Sequence, residues 1–276
     1  MAKVMEKPAT ERSGKLVGYE KRDKIALLTL QDPPANTYTH EMMRDLDDGI
    51  LQARFDDDVH VIVITGAGEK FFCAGANISM LNSVTPQFKY YFCLHANETL
   101  NRFEQTPKLV IAALNGHTVG GGLEIAMAAD IRIGRRGAGK VGLPEVNLGV
   151  LAGTGGTQRL ARLVGKASAI ELMITGRTFD FDEAKQMGIV TEVWDAVDAA
   201  SFQEAVIEYA RKFTPPNMAS KAVGNIKRSV QSGAEVPFES ALAIERELQQ
   251  LLFQSQDAKE GIAAYVEKRK AEFQGR

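Results

Sequence analysis

The sequence predicts an α/β protein in which a parallel sheet is wound by right-handed crossovers and followed by a helical C-terminal region. Three observations support this. Val59–Thr65 and Val110–Leu114 are short apolar runs without polar alternation, the pattern of strands buried on both faces. Segments with helical spacing lie between such runs, and strand, helix and strand in that order favour parallel crossovers over an antiparallel sandwich. From Ala199 onward the pattern becomes helical throughout, broken by Pro215 and Pro216 and by glycines near Gly233. The chain divides on this reading into a flexible arm over 1–14, a core over 15–199 and a helical region over 200–276.

Taken in order, Lys15–Leu30 reads as a hairpin around the charged turn Glu20–Lys24, and Pro33 and Pro34 stop its second strand. Met42, Met43, Leu46, Ile50 and Leu51 recur at helical spacing, and Asp56–Asp58 close that helix before the run from Val59. Gly66–Ala76 is a connector rich in small residues, without the GxGxxG spacing of a dinucleotide loop. Pro86–Gln105 is a helix, and Val110–Leu114 a buried strand. Gly120–Gly122 then open the helical stretch Leu123–Ala129, which Asp130 ends before a further apolar segment around Ile133. Gln158–Val164, Ala167–Thr175 and Asp182–Met187 read as helices, and Ile189–Trp194 as a last extended segment.

Composition excludes several classes. A formal net charge of -2 gives no basic surface for nucleic acid. No apolar run reaches the eighteen residues of a membrane span, and no secretory segment is present, so a cytoplasmic location is expected. Cys73 and Cys93 form neither a CxxC pair nor a disulfide framework and are expected to be reduced and buried. His40, His60, His95 and His117 make no metal-ligand cluster, and turn packing is the preferred role for His117. Gly134, Gly139 and Lys140 imitate part of a phosphate-binding loop, but Val141 stands where a hydroxyl is required, and Arg135 and Arg136 are expected on a solvated turn.

Three successive glycines are best explained by a tight turn or by a ligand approaching the main chain, and the helix start beyond them directs N–H groups there. Glu124 lies in that first turn, where it is either an ordinary dipole-offsetting acid or a functional carboxylate. Glu145 follows the bend imposed by Pro144, on another mostly apolar stretch. If the fold joins the two, like charge and desolvation push at least one pKa upward and supply an acid and a base near neutrality.

The stretches FFCAGANI, VIAALNGHTVGGGLEIAMAADIRI and GLPEVNLGVLAGTGGTQRLARLVG resemble successive signatures of the enoyl-CoA hydratase/isomerase, or crotonase, family, DAKEGIAAYVEKRKAEF resembles its hydratase-like C-terminal ending, and the resemblance runs from about Val17 to Phe273. The resemblance implies a spiral of ββα units with a C-terminal helical trimerisation region, as a trimer or a dimer of trimers. It implies an oxyanion hole from the Ala76 and Gly121 backbone N–H groups, and catalysis by Glu124 and Glu145. An acyl-CoA thioester is the implied substrate, with no metal and no separate cofactor, since coenzyme A is part of the substrate. Both carboxylates favour hydration of a trans-2-enoyl-CoA; the alternatives are an enoyl-CoA isomerase and an inactive acyl-CoA-binding scaffold. Asn77, where hydratases usually have Asp, and the NTYTH run from Asn36 to His40 depart from the family pattern. Lys268 and Lys270 are candidates for the CoA phosphates, across a subunit boundary. Met80, Leu81, Phe88, Phe92 and Phe253 are either acyl-pocket walls or core.

Overall fold

The computed structural model describes residues 14–276, so the arm expected over 1–14 lies outside the described residues except for Gly14. The hairpin forms from β1 (Val17–Arg22) and β2 (Ile25–Leu30), paired antiparallel. Helix α1 (His40–Phe55) starts at Thr39, whose side chain accepts from Met42 N, and buries Met42, Met43, Leu46 and Ile50. Three strand pairs come next, each of a longer strand leading into a shorter one. The first is β3 (Val61–Gly66) and β4 (Phe71–Cys73), followed by α2 (Ile78–Ser83) and α3 (Pro86–Gln105). The second is β5 (Leu109–Leu114) and β6 (His117–Val119), followed by α4 (Gly121–Met127). The third is β7 (Ile131–Arg135) and β8 (Val141–Gly142), followed by a 3-10 turn at Glu145–Leu148, then α5 (Gly156–Val164), α6 (Lys166–Thr175) and α7 (Phe181–Gln186). β9 (Glu192–Trp194) precedes α8 (Ala199–Arg211), α9 (Ser220–Gly233), α10 (Phe238–Phe253) and α11 (Gln256–Glu267).

The strands sort into two sheets. A six-stranded sheet runs β1-β2-β3-β5-β7-β9, parallel except at the hairpin, with Val63 opposite Ile111 and Ile111 opposite Ile131. The short strands form a second, parallel sheet, β4-β6-β8. The chain thus passes from one sheet to the other and back by helices, a spiral of ββα units as the resemblance implies. Sequence periodicity gave no strand for β4, β6 or β8, because two or three residues are too few to establish a period.

Both faces of the larger sheet are covered, which explains its unbroken apolar runs. On one face Phe202, Val206 and Ile207 of α8 pack against Leu27, Val63 and Ile111. On the other, Ile62, Ile64, Val110 and Ala112 join α1, α3 and α4 in a single core. The change of pattern near residue 200 coincides with α8, which packs on the sheet, whereas α10 contacts α9 and α11.

Two sequence expectations are corrected. Arg135 does not lie on a solvated turn: it is 8% exposed, donates to the Asn115 and Glu69 carbonyls, and pairs with Glu69 Oε2 at 2.9 Å. Backbone carbonyls from two distant loops provide for its charge, which charge pattern alone does not reveal. Arg136 is exposed and pairs with Asp182 and Asp195. Cys73 is buried as expected, but Cys93 is only half-buried, and both are free thiols.

Helix α9 is fastened by a buried ion pair. Lys227 Nζ, 3% exposed at its side chain, lies 2.9 Å from Asp130 Oδ2 and also donates to the Phe103 and Lys108 carbonyls. Val110 N donates to the same Asp130 oxygen at 2.8 Å. Burial raises the Asp130 carboxyl pKa and lowers that of the Lys227 ammonium, so desolvation outweighs the attraction for each partner. The intact pair therefore adds little stability, whereas removing one member strands the other. Lys227→Met should destabilise the fold by about 3–5 kcal/mol, read from the urea midpoint at unchanged slope. A loss below about 1 kcal/mol, the size for an exposed pair, would contradict this account.

Candidate active site

Two of the short strands lead into the candidate oxyanion-hole positions. β4 delivers the chain to Gly75 and Ala76, and β6 to Gly120 and Gly121. The two turns touch, since a Cβ placed on Gly75 would lie 3.1 Å from Gly121 N. Tyr38 aligns the first turn: its N–H donates to Gly75 O at 3.0 Å and its carbonyl accepts from Asn77 N at 3.2 Å. In a parallel bridge of this kind the polar groups of the intervening Ala76 face away from Tyr38. Gly121 opens α4, where the first N–H groups have no acceptor inside the helix. Neither the Ala76 nor the Gly121 N–H has a hydrogen-bond acceptor among the described residues. Gly120 has φ 56, and a Cβ on Gly121 would fall 1.6 Å from the Tyr38 ring, so the turn and the close packing both require glycine.

Glu124 is 1% exposed, one turn into α4. Its Oε1 accepts from Thr154 N and Gly156 N, both at 2.7 Å, and its Oε2 accepts from the Thr154 hydroxyl. The loop that supplies these donors must come very close, and a Cβ on Gly156 would lie 2.9 Å from Glu124 Oε1. An ordinary dipole-offsetting acid needs no such cradle.

Glu145 begins the 3-10 turn after β8, and its Oε1 faces the start of α4: a Cβ on Gly120 would lie 2.9 Å from it. Its Oε2 is buried and has no hydrogen-bond partner among the described residues. Burial, with a smaller contribution from the Glu124 charge, pushes its carboxyl up to about 7 against the opposing hydrogen bond from its own backbone N–H and the Lys89 charge. The fold therefore does bring the two carboxylates within electrostatic range. Beside Glu145 opens a cavity of about 200 Å³ walled by Val146, Val150, Ile170, Met173 and Ile174. A larger hollow of about 640 Å³ borders Asp130, Leu163, Ile226 and Lys227 and contains neither carboxylate.

The remaining candidates are dispersed. Asn77 caps α2 by accepting from Met80 N at 3.0 Å and donates to Thr37 Oγ1 at 3.3 Å, so its side chain has local work. Asn36 is buried and donates to the Ala67 and Phe71 carbonyls, both at 3.0 Å. His117 Nδ1 accepts from Lys140 N at 3.1 Å and its ring lies against Phe71, in agreement with turn packing. Phe92 is core, Met80 packs on the core, and Phe88 and Phe253 are exposed. Lys268 caps α11 with φ 56 and Lys270 comes two residues later, both exposed; the tail they begin runs back toward His60 and Pro215. No hydrogen bond or ion pair among the described residues joins either lysine to Glu124 or Glu145. Thr154 and Tyr38 carry no motif for acid–base chemistry, so the sequence signals them only through the Gly-Thr-Gly-Gly run and the NTYTH departure.

A model of the enoyl-CoA hydratase/isomerase family matches residues 20–276. The chain belongs to that family. Among relatives of this enoyl-CoA hydratase/isomerase family member, the short-chain-enoyl-CoA hydratase of Clostridium acetobutylicum is 38% identical over 92% of this chain and 95% of its own length. The crotonyl-CoA hydratase of Syntrophomonas wolfei is 36% identical over 92% of this chain and 96% of its own. An enoyl-CoA hydratase structure from Geobacillus kaustophilus HTA426 superposes with a TM-score of 0.91 at 45% identity, covering 96% of this chain and 98% of that one.

A half-buried carboxyl raised to about 7 has a stability consequence for this family member. The native state holds the Glu145 proton more tightly than the unfolded chain, whose carboxyl titrates near its ordinary 4.5. Stability therefore falls as pH rises from about 4.5 to about 7, and the penalty persists above that. Glu145→Gln, which is neutral throughout, should match the parent's melting temperature at pH 4 and exceed it at pH 8, by about 2–4 °C per kcal/mol of penalty removed. Equal differences at the two pH values would mean that Glu145 ionises as freely as an exposed carboxylate.

Proposed function

We propose that the protein adds water syn across the 2,3 double bond of a trans-2-enoyl-CoA to give a 3-hydroxyacyl-CoA. The enoyl-CoA hydratase class follows from the family and its hydratase-named relatives. The observation that carries the finer reading is two unlike carboxylates, Glu124 and Glu145, beside two free backbone donors. The thioester oxygen is held by the Ala76 and Gly121 N–H groups, whose hydrogen bonds strengthen as that oxygen gains negative charge. Glu124 orients a water and takes its proton as the oxygen bonds to C3. Glu145, protonated near neutrality, gives its proton to C2. Glu124 then loses the proton it gained and Glu145 recovers one, which closes the cycle. The apolar cavity beside Glu145 supports an acyl chain lying there. One oxyanion donor is typically worth about 10²–10³ in rate.

Glu124→Gln and Glu145→Gln should each lower kcat for crotonyl-CoA hydration by about 10²–10⁴ while leaving CoA-ester affinity nearly unchanged. In ¹⁸O-water the parent enzyme should place label at C3. A specificity constant about tenfold higher for 3-enoyl than for 2-enoyl substrates, without label before the 2-enoyl product appears, would make the enzyme an isomerase. Full activity in either Gln variant would remove that residue from the mechanism.

We further infer an oligomer, the trimer implied by the resemblance, in which Lys268 and Lys270 of one subunit meet the CoA phosphates bound to another. Exposed Phe238, Leu251, Phe253, Ile262, Tyr265 and Val266 on α10 and α11 support such an interface. Replacing both lysines by Gln should raise the dissociation constant of CoA esters more than that of the matching pantetheine esters, by a margin that shrinks with salt. Equal changes for both ligands would assign the lysines to the fold alone.

A further inference from the structure

Binding a water and taking its proton requires only the Glu124 carboxylate, yet a chain of hydroxyls stands behind it. A carboxylate offers about four acceptor positions. Thr154 N and Gly156 N occupy Oε1, and the Thr154 hydroxyl occupies one position of Oε2. One acceptor position on Oε2 is left for a water. Thr154 grips both oxygens at once, through its amide and its hydroxyl, which fixes the plane of the carboxylate as well as its place.

Direction within the chain follows from donor arithmetic. The Thr154 hydroxyl has one proton, and it is committed to the carboxylate. The 3.3 Å contact between Tyr38 Oη and Thr154 Oγ1 is therefore made by the tyrosine proton. Tyr38 is 2% exposed, and burial, then the nearby Glu124 charge, keep its hydroxyl protonated by raising its pKa well above the ordinary value. The same residue carries two other contacts at the site. Its ring walls Gly121, leaving no room there for a Cβ, and its backbone pairs with the Gly75–Asn77 turn. One residue, through its side chain and its backbone, thus registers the carboxylate, by way of Thr154, against both free amides.

We propose that Tyr38 and Thr154 are positioning residues that act as a donor relay, Tyr38 to Thr154 to Glu124, holding the free acceptor position of Oε2 toward the attacking water. The proposal rests on the hydratase reading of Glu124. The relay acts through Glu124, so its loss acts on kcat and not on KM. Polarised by the phenol, the Thr154 hydroxyl makes the stronger hydrogen bond to Oε2 that holds the carboxylate in place.

The test is a double-mutant cycle on crotonyl-CoA hydration. Thr154→Val keeps the shape and the amide donor but removes the hydroxyl. It should lower kcat by about 10–100-fold, the size of a hydrogen bond to a charged group, and leave KM unchanged. Thr154→Ser should restore the rate. Tyr38→Phe, which keeps the ring against Gly121, should lower kcat by about 2–10-fold. The double variant should be no slower than Thr154→Val alone, because a relay already cut at Thr154 transmits nothing from Tyr38. Multiplying rate losses, a loss carried by KM in place of kcat, or failure of serine to rescue each overturns the relay. Should Thr154→Val not fold, Tyr38→Phe and Thr154→Ser still decide: a wild-type rate in Tyr38→Phe, or a slow Thr154→Ser enzyme, overturns it. Glu124→Gln is measured alongside. An active Glu124→Gln enzyme overturns the reading of Glu124 itself, whereas an inactive one beside unaffected Thr154→Val and Tyr38→Phe overturns only the relay.

Discussion

Placing a carboxylate at 1% exposure costs several kcal/mol unless donors meet its oxygens. Much of the local architecture around Glu124 answers that requirement. The segment from Ala152 to Gly156 must bring two amides and a hydroxyl to one side chain, and it does so through a loop whose Gly155 has φ 106 and whose Gly156 has no room for a Cβ. Arg159, just beyond that loop, is held in turn by Glu104 at 2.7 Å, which ties the start of α5 to α3. The buried charge therefore fixes the path of the third repeat unit relative to the second.

The spiral supplies the other parts of the site by a common route. In each unit the chain leaves the larger sheet, adds a short strand to the second sheet, and then turns. Ala76 comes after β4, Gly121 after β6, and Glu145 after the bend beyond β8. Because β4, β6 and β8 are hydrogen-bonded side by side, the three turns emerge next to one another. The two-stranded step of each unit thus has a purpose that a plain strand–helix crossover would not serve: it carries three loops, separated in sequence, to one place on a rigid support.

How far this was legible in the sequence depends on the range of the interaction. The long strands announce themselves through runs such as Val61–Ile64, since burial on both faces writes an apolar signature. Helix α1 does so through its methionine and leucine spacing. The internal repeat does not, because the units share two strands but differ in their helices: α2 and α3 in one, α4 alone in the next, and a turn with α5 to α7 in the third. The Glu124–Glu145 pairing was conditional on the fold, and its chemistry was recognisable only through the two Gly-rich signatures. Tyr38 and Thr154 lay beyond sequence reasoning, since a hydroxyl 116 positions from its partner leaves no local pattern. Arg135 misled for the same reason in reverse: its charge reads as surface, while its acceptors come from Glu69 and Asn115.

The two glutamates share residue type, apolar surroundings and mutual repulsion, yet three donors converge on Glu124 and none on Glu145 Oε2. Donors that stabilise negative charge suit a group that must receive a proton and hold a water in a fixed direction. A carboxyl with one unpartnered oxygen, lifted to about 7 mainly by burial, suits a group that must arrive protonated and give the proton up at neutral pH. Exchanging the roles would require an acid to release its proton toward C2 while its oxygens were already engaged by three donors. It would also require a base with an unsupported oxygen to fix a water. In the proposed reaction this difference favours water approaching from the Glu124 side and the C2 proton coming from the Glu145 side. The unpartnered oxygen at Glu145 is the local instability that such a proton donor carries.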